Sequence, residues 1–208
     1  SKQKLKVLGS ARYCSEWENV YFNIVPTGKY SSNEYNDGRL KVLFMDHSYK
    51  YRAYIDDVVS SIKYISEIDN IHLVIKPSTG SRDLMTSTDL YHIAEVDHDT
   101  HSFELICWAD IVIGTVTSIM IDVLIMNKTF IYTKYFSENV QLWELMKSCW
   151  TVNSKDELIS AIKELTMDSN YKPYSQNNVI KFLNQIVYAG DPELDVLGEH
   201  SKFILSLV

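Results

Sequence analysis

Cysteine is scarce in the 208-residue chain: Cys14, Cys107 and Cys149 are odd in number and lie far apart. They make no metal-type spacing and no disulfide framework, so reduced thiols are expected. Basic residues are also in deficit, 20 Lys and Arg against 27 Asp and Glu, for a formal net charge of -7. Nothing supplies a basic face, which argues against general binding to nucleic acid or to an anionic membrane, although a local cluster could still hold one phosphate. No signal peptide opens the chain and no apolar run reaches spanning length, so a cytoplasmic protein is expected, peripheral at most at the inner face of the membrane. Low-complexity segments and internal repeats are missing too. The chain opens on Ser1 and not on Met, which fits a piece of a longer polypeptide.

Two nucleotide-binding signatures are likewise missing. "GSAR" (Gly9 to Arg12) follows an apolar stretch and resembles a phosphate-holding turn, with Ser10 as a donor. It lacks the spaced glycines of a dinucleotide fingerprint, and no Lys-Ser/Thr pair follows any glycine loop, so ordinary dehydrogenases and P-loop enzymes are disfavoured.

What remains is globular, 46% hydrophobic and 23% charged. "LKVLGSARY" reads as a strand entering a glycine turn, and "CSEWENVYFNIV" as a short helix with Trp17, Tyr21 and Ile24 on one face. "PTGKYSSNEYNDG" is rich in turn formers and reads as a linker or mobile loop. A regular alternation follows. "LKVLFMD", "IHLVIKP", the weaker "YHIAEVD", "DIVIG", "KTFIYT" and "CWTV" read as strands. "AYIDDVVSSIKYISEI", "HSFELICWA", "TSIMIDVLIMN", "NVQLWELMKSC" and "SKDELISAIKEL" read as helices, the last opened by a capping box of Ser154 and Glu157. Apolar strands separated by single helices imply right-handed crossovers and a parallel sheet covered on both faces. The expected fold is α/β, a doubly wound parallel sheet with a helical C-terminal extension. It is read as one domain over 1–208: an opening strand, helix and loop (1–39), a core (40–165) and C-terminal helices (166–208).

Ligands of such sheets sit at the carboxyl ends of the strands. "GTVTS" is the most informative loop there. Gly114 allows a tight strand-to-helix turn, the free amides of the next helix favour an anion, and Thr115, Thr117 and Ser118 add hydroxyl donors. The simpler reading is that a threonine caps the helix. Asp122 interrupts an otherwise apolar helix and shares a face with Ser118, where it could accept from a ribose diol or pair with a neighbouring helix. Lys76 and Arg82 in "KPSTGSRD" could meet phosphate, Arg82 in bidentate fashion, or be ordinary solvated charges. Ser48 is a further phosphate donor, and Asp46 and His47 in "MDHSYKYR" are the weak candidates for acid/base work, though His47 could be a loop residue that only packs. Tyr49, Tyr51 or Tyr135 could stack on a base, with core packing as the default. "DHDTH" (Asp97 to His101) matches no zinc pattern and reads as a helix cap, so no metal is assigned.

In this order the motifs resemble a known family. A strand ending in Lys76-Pro77, then "ADIVIGTVTSIMID", then "NKTFIY" is similar to the C-terminal, donor-binding domain of GT-B glycosyltransferases, in the bacterial branch of CDP-glycerol glycerophosphotransferases and capsule-type sugar transferases. Lys76 and Pro77 match the family's "KPHP"-like turn, but Ser78 stands where the family has histidine. Thr117 and Ser118 match its hydroxyl pair and Asp122 its acid, and "YAGDPELDVLGEHSKFI" looks like its closing helices. The resemblance covers Leu40 to Leu165. It implies a Rossmann-like half of an enzyme: the donor half, with an N-terminal acceptor domain and its catalytic base elsewhere. The implied chemistry is transfer of a sugar or polyol phosphate from a CMP-, CDP- or UDP-linked donor to a bacterial surface polysaccharide or lipid-linked glycan. The donor is a substrate, and no cofactor is expected. Two alternatives compete: a sugar-nucleotide epimerase of related fold, and a non-catalytic Rossmann-like assembly module in which the hydroxyl pair is only a cap.

Overall fold

The computed structural model describes residues 5–25, 28–46, 54–78 and 89–207. Its six strands are β1 Leu40–Met45, β2 Ile71–Lys76, β3 Glu95–Val96, β4 Ile111–Gly114, β5 Thr129–Thr133 and β6 Trp150–Val152. They form one all-parallel sheet in the order β3-β2-β1-β4-β5-β6. The order reverses between β1 and β4, where Met45 lies opposite Gly114, and a crevice opens at such a switch point.

Helices α1 Ser15–Ile24, α2 Ile55–Ser66, α3 Ser102–Trp108, α4 Ile119–Ile125, α5 Leu142–Leu145, α6 Lys155–Met167, α7 Gln176–Val187 and α8 Val196–Leu205 flank the sheet. Val58, Ile62 and Ile65 of α2, spaced by four and three, form one stripe. That stripe and Leu158, Ile162 and Leu165 of α6 cover Val42, Phe44, Ile75, Ile113 and Ile131. On the other face Leu43, Val74, Val112, Phe130 and Tyr132 meet α3, α4 and α7 through Leu105, Met120, Val123, Val179 and Phe182. The inner strands β1, β2, β4 and β5 are buried on both faces, which is why they read as apolar runs instead of alternating. Ser154 caps α6 as expected, its Oγ accepting from the Glu157 amide at 3.2 Å, while the Glu157 carboxylate reaches one residue further back, to the Asn153 amide at 2.7 Å, and not to Ser154 as a full box would.

Four expectations are corrected. Leu5 to Ser10 is no strand and pairs with none of the six. Leu5 and Val7 are exposed, and Lys6 pairs with Glu199 of α8 at 2.9 Å. The supposed linker is anchored by two buried tyrosines in short 3-10 turns, with Tyr30 and Tyr35 donating to Asp97 at 2.9 Å and to Glu95 at 3.0 Å. Its polar composition hid the anchors. "YHIAEVD" contracts to Glu95–Val96 after a 3-10 turn over Asp89–His92. The helix expected in "NVQLWELMKSC" is confined to Leu142–Leu145, ended by Lys147 in the left-handed region (φ 53°). All three cysteines are free. Among the described residues no helix is long and apolar enough to cross a membrane.

Candidate functional site

The β4–α4 junction lies at the switch point. Gly114 makes the turn possible sterically: a Cβ there would stand 3.3 Å from Thr117 Cγ2 and 3.4 Å from Phe130 Cε2. Ser118 is exposed and Thr117 half-buried. Ser118 occupies the N-cap position with helical backbone angles, so its hydroxyl makes no cap, while Thr117 Oγ1 accepts from the Ile119 amide at 3.3 Å. Thr117 therefore performs the capping role read from the sequence, and the Ser118 hydroxyl stays open to solvent. Tyr13 donates to the Ser118 carbonyl at 3.3 Å.

Thr115 is a correction. It is fully buried, its hydroxyl 3.0 Å from that of Thr133, which also donates to the Gly114 carbonyl at 3.2 Å. The side chain belongs to the sheet interior and offers nothing to a phosphate.

Asp122 is half-buried on α4 and has no hydrogen bond or ion pair among the described residues. Burial pushes its carboxyl up to about 6, against the lowering pull of Arg12 and with the added repulsion of Glu18. Around it stand Arg12, Tyr13, Glu18, Tyr21 and Phe103, leaving a gap of about 10 Å³. Burial also raises the Glu18 carboxyl. The salt bridge to a neighbouring helix foreseen as the alternative is not formed: α1 lies beside Asp122 but presents the like-charged Glu18. Sequence reasoning missed Tyr13, Glu18 and Tyr21 as neighbours of this acid. The local signals were an acid and two tyrosines flanking an apolar helix, too common to single out.

Lys76 is buried at the end of β2, and its ammonium donates to the His98 carbonyl at 2.7 Å. Desolvation lowers its pKa, opposed by Asp97 and Asp99. It thus leans toward the loop after β3, away from β4, with β2 and β1 between them. Asp97 organises that loop, accepting from the Thr100 amide and hydroxyl, both at 2.8 Å, and from Tyr30. His101 is the N-cap of α3, its Nδ1 accepting from the Phe103 amide at 3.2 Å. "DHDTH" is a cap, as its spacing indicated.

The amide of Ser10 donates to the Val187 carbonyl at 2.8 Å, tying the "GSAR" turn to the end of α7. Gly9 has φ +76°, and a Cβ on it would lie 2.4 Å from the same oxygen. This glycine serves packing between helices, which corrects its reading as a phosphate turn. Asp46 is buried after β1, its amide donating to the Lys76 carbonyl at 3.0 Å. His47, Ser48, Tyr49, Tyr51 and Arg82 lie outside the described residues. Tyr135 bonds Ser61 of α2 at 2.7 Å and packs in the core beneath it, not at the crevice.

No protein-family model and no curated protein matches the sequence. Solved structures do match in fold. The UDP-GlcNAc 2-epimerase of Methanocaldococcus jannaschii, in complex with UDP-GlcNAc and UDP, superposes with a TM-score of 0.57 at 13% identity, over 88% of this chain and 54% of that one. The wall teichoic acid polymerase TagF, soaked with CDPG, gives 0.54 at 14% identity over 91% and 44%. The spinosyn rhamnosyltransferase SpnG gives 0.52 at 11% identity over 72% and 41%. The fold is GT-B-like. The chain spans about half the length of these proteins, and at these identities the likeness is one of architecture.

Proposed function

We propose that the chain is the donor-binding half of a glycosyltransferase, moving a sugar or polyol phosphate from a CMP-, CDP- or UDP-linked donor to a surface glycan, with acceptor and catalytic base supplied by a second domain. The carrying observation is Asp122: a half-buried carboxylate without a protein partner, one turn below the exposed start of α4, at the switch point of a parallel sheet. A polar group kept at such cost calls for a ligand, and two ribose hydroxyls supply the donors that a carboxylate lacks. The positive end of α4 and the exposed Ser118 hydroxyl would then favour the diphosphate and stabilise negative charge as it leaves. Lys76, Arg82 and Ser48 are secondary candidates for the phosphates. Lys76 must exchange the His98 carbonyl for phosphate to act. That named solved structures of this fold carry UDP-GlcNAc and CDPG supports a nucleotide-linked donor.

The test is calorimetric titration with CMP, CDP, UDP and GDP. One of them is expected to bind, and Thr117→Ala/Ser118→Ala is expected to weaken it at least ten-fold, a loss of about 1.4 kcal/mol. Absence of heat and of thermal stabilisation by every nucleotide at about millimolar concentration would sink the proposal.

A further inference from the structure

Resting on the donor-site reading, we infer that α1 is a strap that closes the pocket of Asp122 and lifts when the donor binds. The gap between α1 and Asp122 is about 10 Å³. A water needs about 10–15 Å³ of such space, and a ribose ring is several-fold larger. In the conformation described, a ribose does not fit between α1 and Asp122.

The helix that blocks them is weakly held. Ten residues are too few to persist as a helix in water without packing, and α1 buries none of its residues. It has no side-chain cap at Cys14 and no basic residue in its last turn. Its grip on the domain is aromatic: Tyr21 and Phe22 sit with ring centroids 5.4 and 5.1 Å from Phe103. Below it, Glu18 and Asp122 repel each other with only Arg12 to offset them.

Both flanks are firm. Ahead of α1, Gly9 and Ser10 are pinned to Val187, and Tyr13 and Cys14 are buried. Behind it, the Gly28 amide donates to Glu104 at 2.9 Å, and Tyr30 is buried on Asp97. A loosely seated helix between two fixed ends can rise without unfolding the domain. Donor affinity is then reduced by the population of the closed state.

Two substitutions move that population in opposite directions. Tyr21→Ala loosens the strap and is expected to tighten CDP or UDP binding about five-fold. Glu18→Lys places a cation against Asp122, holds the strap down and is expected to weaken binding about as much. In the unsubstituted chain, saturating nucleotide is expected to speed amide hydrogen exchange across residues 17–25. Circular dichroism establishes that each variant folds, and the exchange measurement needs no variant. Tighter binding by Tyr21→Ala and weaker binding by Glu18→Lys than by the parent, with faster exchange across residues 17–25, supports the strap. Equal affinity in all three proteins with unchanged exchange overturns the strap and leaves the donor site standing. No nucleotide binding by any of them overturns both.

Discussion

Thr115 and Thr133 face each other across the ends of β4 and β5, hydroxyl to hydroxyl at 3.0 Å and out of reach of solvent. The pair ties the two strands just before the chain turns into α4. Thr115→Val keeps the shape and removes one buried hydrogen bond, and Thr133 retains the Gly114 carbonyl. The expected loss is about 0.5–1.5 kcal/mol in urea unfolding, with nucleotide affinity unchanged. A ten-fold fall in affinity would return Thr115 to the phosphate site.

Asp122 is expected to trade stability for binding. Burial, partly offset by Arg12 and reinforced by Glu18, lifts its carboxyl from 3.8 to about 6. A folded-state value raised in this way favours the protonated acid. The fold is unpenalised below about pH 4, loses stability as pH rises through about 6, and carries the full cost at neutral pH. Asp122→Asn should therefore raise the melting temperature at neutral pH, by about 1–2 kcal/mol in free energy after allowing for solvent at its rim. Near pH 4 it should have little effect. Nucleotide affinity should fall in the same variant. Equal melting curves at both pH values would remove the electrostatic argument.

Asp97 has the opposite sign. Burial disfavours its charge, but the Thr100 amide and hydroxyl, the Tyr30 hydroxyl and Lys29 outweigh this and depress it to about 2. The stabilisation is complete above the ordinary value of 3.8 and is lost as pH falls through about 2. Asp97→Asn should lower stability at neutral pH by about 1–3 kcal/mol and flatten the loss between about pH 4 and pH 2. Chemical denaturation at both ends of that window checks it.

Gly9→Ala should be costly far from the proposed site. Its φ of +76° and the 2.4 Å approach to the Val187 oxygen leave no room for a methyl group. The expected loss is about 2–4 kcal/mol, read as a lower melting temperature. A variant as stable as the parent would show that the turn is not pinned to α7.

Parts of the fold and site were legible from short windows. Val58, Ile62 and Ile65 announced α2, the unbroken run from Val42 to Met45 announced a strand buried on both faces, and Ser154 with Glu157 marked the start of α6. The Gly114 turn and the exposed Ser118 fell where the motif placed them. Leu5 to Ser10 misled because an apolar run carries no information about whether a strand of the sheet lies beside it. Gly28 to Gly38 misled because Tyr30 and Tyr35 were hidden in a polar stretch whose anchors, Glu95 and Asp97, lie some sixty residues away.

Periodicity, apolar runs and turn residues act over one or two helical turns, so the chain's own order of residues was enough to specify a parallel, doubly wound sheet and the junction after β4. The use of each polar side chain there was not specified in the same way. Thr115 turns inward because Thr133 arrives beside it, Lys76 is engaged because His98 presents a carbonyl, and Asp122 is roofed because a helix from the far end of the chain comes to rest above it. Each outcome depends on a group distant in sequence that folding brings within a few ångströms, and the strength of such contacts is set by that distance and by the water excluded around it.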